Sequence, residues 1–393
     1  MDNILKLRSD LVKKIDPKYG NYLFYLSLGI YLISQFFNGT MYVMYYPSES
    51  FPYHLWMLAG LLACVKILLC NKFKTFQDFI IFVTVGLLIL IGAQASQSWD
   101  LLYYYLLIVA AQGIDFKMIL KEFLLIISTG MVFTFVSAKL GLIMGLTNSR
   151  DGSAGIRYAL GTVYPTDLAA RMFYLMLAYA LYKKFKFNLP EYISLVAVTA
   201  WTYIVTDTRL DLALMLLIIF LAITRKYIFK LLATLKESWV SLLSVLVIFG
   251  VIVMTYLYQA HALIFKLADK LLSGRLELGR VAFDRYNVTL AGQLVIQNGN
   301  GGIHVGPFDY FFIDCSFLRI LMMNGLISFT LILIAIVYLT KRYFTQKTLV
   351  LEIGLLLVIL SSLIDHHLLE ISYNILFLSI FANLDHFVSS QNS

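Results

Sequence analysis

The chain has 393 residues, of which 60% are apolar or aromatic and 14% charged, with a net charge of +8. A soluble domain carries about a quarter charged residues, so the composition excludes an ordinary soluble globular protein. Nor does the positive balance indicate nucleic acid, because Lys and Arg in a membrane protein report orientation first.

Met1 to Gly20 is polar and basic and runs straight into an apolar segment, so no cleavable leader is expected and the first span is expected to remain as an anchor. Reading apolar runs against their polar breaks predicts twelve spans, near 21–43, 51–70, 76–95, 98–114, 118–145, 164–182, 189–206, 208–224, 239–258, 316–340, 348–365 and 367–385. The expected fold is all-α: a polytopic helical bundle of about twelve transmembrane helices, forming one membrane domain over 1–393. Alternation then places Lys72, Lys74, Lys117, Lys121, Lys183, Lys184, Lys186, Arg225, Lys226, Lys230, Lys236, Lys341, Arg342 and Lys347 on the same side as the basic N-terminus. The opposite turns YPSES and SQSWD carry no Lys or Arg. The positive-inside rule makes the basic side cytoplasmic, with both termini there.

The remaining polar material is expected to face outward: 146–166, the knot TDTRLD at 206–211, the turn IDHHLLE at 364–370 and a large loop over about 259–315. Within that loop, Ile264, Leu267, Ala268, Leu271 and Leu272 form a helical stripe suited to the membrane surface or the bundle flank, with Gly274 as its end. The loop balances five basic against five acidic residues, so it is no basic sheet for anionic lipid. Cys64, Cys70 and Cys315 are too few and scattered for a disulfide framework.

Three stretches carry candidate chemistry. Between 273 and 287 the basic residues are Arg275, Arg280 and Arg285, all arginine, the side chain whose planar fork grips phosphate. The plainer alternative has Glu277, Arg280 and Asp284 pairing along a solvated helix face. In 149–171, Arg157 and Gly161 lead to a helix expected to start at Thr166 with a Thr or Asp cap. Arg171 either snorkels from its first turns or joins an anion site. Arg209 lies at membrane depth between Asp207 and Asp211, which either satisfy it or leave it a functional candidate. His366 and Glu370, spaced i and i+4, could bind a metal, but no third ligand is evident from spacing, so no metal site is expected. The absence of a P-loop or G-x-G-x-x-G disfavours a nucleotide-dependent reaction.

In order, Arg157-x3-Gly161, Tyr164-Pro-Thr-Asp167-Leu-Ala, Thr206-Asp-Thr-Arg209, Ser273-Gly-Arg275 and Asp314-Cys-Ser-Phe-Leu-Arg-Ile-Leu-x3-Gly325, with Glu370 and Asn374 near the last span, resemble the Wzy-type polysaccharide polymerases and their relatives the O-antigen ligases. The resemblance implies a GT-C-like extracytoplasmic glycosyltransferase of the bacterial inner membrane that uses undecaprenyl-pyrophosphate-linked oligosaccharide as donor and acceptor, within membrane lipid, beside a flippase and a chain-length regulator. It implies catalytic roles for Arg157, Arg275 and Arg280. Substrate-binding roles fall to Arg209, Arg171, Tyr164, Asp167 and Glu370. No cofactor is implied, since guanidinium groups can stabilise a departing pyrophosphate without a metal. Where the related ligases carry a histidine, this chain has Asp314. The base is therefore Asp314, or His304 reaching in from its glycine-rich segment, or no strong base at all. The alternatives are a ligase or a lipid-linked oligosaccharide flippase, and no internal repeat supports the transporter.

Overall fold

The computed structural model describes residues 17–48, 50–73, 75–149, 155–303 and 309–388. Their apolar runs form helices, as groups that cannot meet water must pair their own backbone. The helices are α1 (Pro17–Asn38), α2 (Phe51–Cys70), α3 (Phe76–Ser96), α4 (Asp100–Ala110), α5 (Phe116–Lys139), α6 (Pro165–Tyr182), α7 (Leu189–Thr206) and α8 (Arg209–Ile223). They continue with α9 (Arg225–Thr234), α10 (Glu237–Tyr256), α11 (Leu263–Leu271), α12 (Arg275–Arg285), α13 (316–345) and α14 (Leu349–Ser362). Local chemistry sets their starts. Thr75 with Asp78 and Asn188 with Glu191 form reciprocal capping boxes, and proline occupies the first turn of α2, α6 and α7.

Eleven of the twelve predicted spans coincide with helices, but the count of twelve transmembrane helices is corrected. Among the described residues five helices are long and apolar enough to cross a membrane: α2, α3, α5, α10 and α13. A sixth is obtained if α8 and α9, bent by 86° at their junction, count as one broken span. This architecture is all-α and fits a multi-pass membrane protein. At 1.5 Å per residue, the 11 residues of α4 reach about 16 Å and the 14 of α14 about 21 Å, short of a core of about 30 Å. The twelfth predicted span, 367–385, is no continuous helix but a succession of 3-10 turns at His367–Leu369, Leu376–Ile380 and Asp385–Phe387. Side chains intercept its backbone: Asn374 Nδ2 donates to the Leu368 carbonyl, the Leu376 amide donates to Asn374 Oδ1, and the Ser372 amide donates to Gln35 Oε1. Irregular backbone is tolerated because 371–379 is wholly buried among helices.

The packing leaves the chain alternating between two ends. α1 packs on α2 and α5, α2 on α4, α6 on α5, α7 and α8, and α13 on α3, α10 and α14. At one end, Gly39, Thr40 and Met41 pair with the 161–163 segment ahead of α6, which also binds Gly302 of the long loop. A short hairpin, Thr147–Ser149 against Ile156–Tyr158, closes beside them. At the other end, Lys117 and Arg225 each lie within electrostatic reach of Lys184, so three of the loops read as cytoplasmic share an end.

The long loop contains the expected helix, followed by the expected glycine. α11 buries none of its residues and leaves Leu263, Ile264, Leu267 and Leu271 exposed, and Gly274 follows with φ +87°. The glycine takes this left-handed conformation without a Cβ penalty and turns the chain directly into α12.

Candidate functional site

Three segments distant in sequence meet at the loop-bearing end: the start of α12, the residues before α13 and the turn after α14. Arg275, the first residue of α12, donates from Nε to the Ile364 carbonyl. The same nitrogen lies 3.8 Å from Asp314 Oδ2, and Nη2 lies 3.7 Å from Asp365 Oδ1. Ser316 fastens the other two segments, its Oγ donating to the Asp365 carbonyl at 2.6 Å and accepting from the Leu368 amide at 3.2 Å. Burial works against the charge on Arg275, but Asp314, then Asp365 and Asp211, outweigh it and hold the guanidinium above its ordinary pKa. Burial also raises the Asp314 carboxyl, against the opposing pull of Arg275.

The 3-10 turn then brings two imidazoles onto one carboxylate. Glu370 Oε1 lies 3.5 Å from His366 Nε2 and 3.2 Å from His367 Nδ1. The second contact has ion-pair distance without hydrogen-bond alignment, and Nδ1 is buried with no hydrogen-bond partner. His367 Nε2 faces Asp167 Oδ1 at 3.9 Å, and the ring stacks on Tyr373 with centroids 3.7 Å apart and planes 9° from parallel. Burial disfavours charge on His367, yet Glu370 prevails and raises its pKa; burial and the neighbouring His367 lower that of His366. Glu370, despite burial, is pulled down to about 2, chiefly by His367.

Arg171 closes one flank. It is 1% exposed, its guanidinium lying 4.5 Å from the Phe36 ring centre and 4.2 Å from that of Tyr373. Nη2 donates to the Phe36 carbonyl at 3.3 Å, whereas Nε and Nη1 have no hydrogen-bond partner. A Cβ on Gly39 would collide with Nη2, so this glycine makes room for the fork. On the opposite flank Arg319, immediately before a π-helical turn at Ile320–Asn324, donates to Gln297 Oε1 at 3.0 Å and lies over Phe312. Between the flanks is a cavity of about 30 Å³ lined by Ser98, Asp100, Arg319, His366, Glu370 and neighbours, the volume of a water or an ion rather than a sugar.

The structure therefore brings together Arg171, Asp167, Arg275, Asp314 and Glu370 of the residues read from sequence. Arg157 and Tyr164 stand at the rim. Arg157 is buried, donates from Nε to the Thr206 carbonyl at 2.7 Å and lies 5.7 Å from the Tyr164 ring. Helix α6 starts at Pro165 with Tyr164 as its N-cap and no side-chain cap, one residue earlier than expected, and Asp167 points instead to His367. Asp314 does not cap α13, whose N-cap is Cys315. Arg280 follows the plainer alternative in part: Nη2 pairs with Asp284 at 2.9 Å, Nη1 donates to the Tyr256 carbonyl, and no pair with Glu277 is found among the described residues. Arg209 is exposed and has no ion pair among the described residues, whereas Asp211, expected to satisfy it, is 4% exposed and lies within reach of Asp365 and Arg275. His304 lies outside the described residues.

Sequence reasoning passed over Asp211, Arg319, Asp365 and His367. Helical geometry held the signal for Asp211, because positions 209 and 211 diverge by about 200° around a helix and cannot share a face. His367, three residues before Glu370, supplies the third ligand-type side chain thought missing beside His366 and Glu370: donor atoms of all three lie within 4.8 Å of one another.

No family model, curated protein or solved structure matches this chain.

Proposed function

We propose that the chain is an extracytoplasmic glycosyltransferase that joins lipid-pyrophosphate-linked oligosaccharide repeat units, in the manner of the Wzy-type polymerases it resembles. The observation carrying this reading is the gathering of Arg171, Arg275 and Arg319 with acids and imidazoles at the end opposite the Lys/Arg-rich turns. By the positive-inside rule that end faces outward, where lipid-linked repeat units are presented.

In the proposed reaction an acceptor hydroxyl attacks the anomeric carbon of the donor, the bond from that carbon to the pyrophosphate oxygen breaks, and the lipid pyrophosphate leaves. Arg275, on the part-exposed rim, neutralises the charge that grows on the leaving group, with Arg157 supporting from the adjoining hairpin. Asp314 takes the hydroxyl proton; its side chain is 23% exposed and its raised pKa brings it nearer to working pH. Tyr164, Asp167 and Glu370 are assigned to binding the sugar. Membrane lipid surrounds the bundle, and a flippase and a chain-length regulator are the proposed partners.

The test is elongation by purified protein in nanodiscs supplied with a lipid-pyrophosphate repeat unit, without ATP or sugar nucleotide. A ladder of multiples is the expected product. Transfer to a different lipid acceptor alone would make the protein a ligase. No longer product, together with protein-dependent movement of the lipid across sealed vesicles, would reject the enzyme in favour of a transporter.

A further inference from the structure

Within this polar cluster, His366 and His367 converge on Glu370, and the two imidazoles have no part in glycosyl transfer by arginines and Asp314. Two imidazole nitrogens converge on one carboxylate oxygen at 3.5 and 3.2 Å. Tetrahedral zinc, with bonds of about 2.0–2.1 Å, separates its ligand atoms by about 3.4 Å. Both observed spacings match that edge. Two imidazoles and a carboxylate are moreover a donor set suited to a borderline divalent ion, and three protein ligands leave a fourth position open.

Three further observations point to a ligand. His367 is 2% exposed and its Nδ1 is aimed at Glu370 at 3.2 Å, off the line of a hydrogen bond. Its other nitrogen faces the Asp167 carboxylate at 3.9 Å, beyond hydrogen-bond distance but on the side from which an outer carboxylate orients a metal-bound imidazole. The cavity beside His366 and Glu370, about 30 Å³ and lined also by Asp100 and Ser98, has room for one water or hydroxide on the open position.

The carboxyl groups of Asp100, Asp167, Asp314 and Asp365 lie within electrostatic reach of this unit, as do the guanidinium groups of Arg171, Arg275 and Arg319.

We propose that His366 Nε2, His367 Nδ1 and Glu370 Oε1 bind one divalent transition-metal ion of the zinc class, with Asp167 positioning His367 and the fourth coordination position open to the cavity. This replaces the sequence-based expectation of a metal-free site. It holds whether or not the glycosyltransferase reading does, since its test needs no glycan. The competing arrangement is a protonated His367 paired with Glu370, in which no metal enters.

The experiment uses full-length protein carrying a tag without histidine, stripped with chelator, exchanged into nanodiscs and titrated with Co²⁺ as the probe. One equivalent is expected to bind, giving the intense visible absorption of a four- or five-coordinate site that Zn²⁺ then abolishes. Glu370→Gln and His367→Ala are expected to remove binding. Asp167→Asn is expected to weaken it about 10- to 100-fold. His54→Gln and His386→Gln, which alter histidines outside the cluster, leave it unchanged. Failure of folded wild-type protein to bind Co²⁺ overturns the proposal even if no variant accumulates. So does binding that survives Glu370→Gln and His367→Ala together, because the metal then sits elsewhere.

Discussion

Helix α4 separates two buried polar clusters of opposite character. Asp100, its first residue, belongs to the Arg275–His367 cluster; Gln112, just past its far end, belongs to another built around Lys66. In the second cluster Lys66 Nζ donates to Asn71 Oδ1 and to the Gln112 carbonyl, both at 2.7 Å, and Asn71 Nδ2 donates to the Val109 carbonyl at 2.7 Å. Gln112 in turn accepts from the Lys72 amide at 2.7 Å and donates to the Lys72 carbonyl at 3.1 Å. Each of these partners is neutral, and the bonds close on one another. The first cluster gathers acids, arginines and imidazoles and leaves Arg171 Nε and Nη1 without hydrogen-bond partners. A polar group buried without a partner costs about 1–3 kcal/mol, and more when charged. A closed network secures packing. An open one is retained at that cost where it has something further to bind.

The sharpest way to break this comparison is Arg275→Lys. Lysine keeps the charge but loses the fork that reaches the Ile364 carbonyl, Asp314 and Asp365 together. Elongation is expected to fall about 100-fold or more, the scale of one lost transition-state donor, while protein levels in the membrane hold. Product ladders against immunoblots would show it; normal ladders would remove Arg275 from the reaction.

Lys66→Met probes the closed cluster and should do the reverse. With the ammonium gone, Asn71 Oδ1 and the Gln112 carbonyl lose a donor, at a cost of about 1–3 kcal/mol. The expected result is earlier thermal unfolding in detergent with elongation per folded molecule unchanged. A selective loss of activity would mean that closure of a network does not mark a structural role.

The smallest expected effect is that of Arg280→Lys. Its partner Asp284 is exposed, and an exposed ion pair contributes about 0–1 kcal/mol. Elongation should change less than about twofold. A larger loss would restore Arg280 to the group that grips pyrophosphate and show that one helix presents both arginines to substrate.

Much of the architecture was legible because membrane helices announce themselves locally, in apolar runs of about 20 residues. The break at 367–385 was not. Its composition is as apolar as a span, and what diverts it is long-range: Gln35 of α1 takes the Ser372 amide, and Tyr104 of α4 donates to the Asn374 carbonyl at 2.5 Å. In the candidate site, Arg275, Asp314 and Glu370 stood out because charge in apolar surroundings invites a reason. Asp365 did not, since its role depends on α12 folding back against the end of α14, 89 residues away. Arg280 and Arg209 shared the composition of Arg275 but not its position, and composition alone could not separate a helix face turned to solvent from one turned inward.

The account rests most directly on the claim that the open cluster is the working site and the closed cluster is not. The measurement is the rate of repeat-unit addition per folded molecule for wild type, Arg275→Lys and Lys66→Met, each purified in nanodiscs and normalised by the folded fraction. The prediction is a rate near wild type for Lys66→Met and a loss of about 100-fold for Arg275→Lys. Equal rates in the two variants, or a greater loss in Lys66→Met, would contradict it.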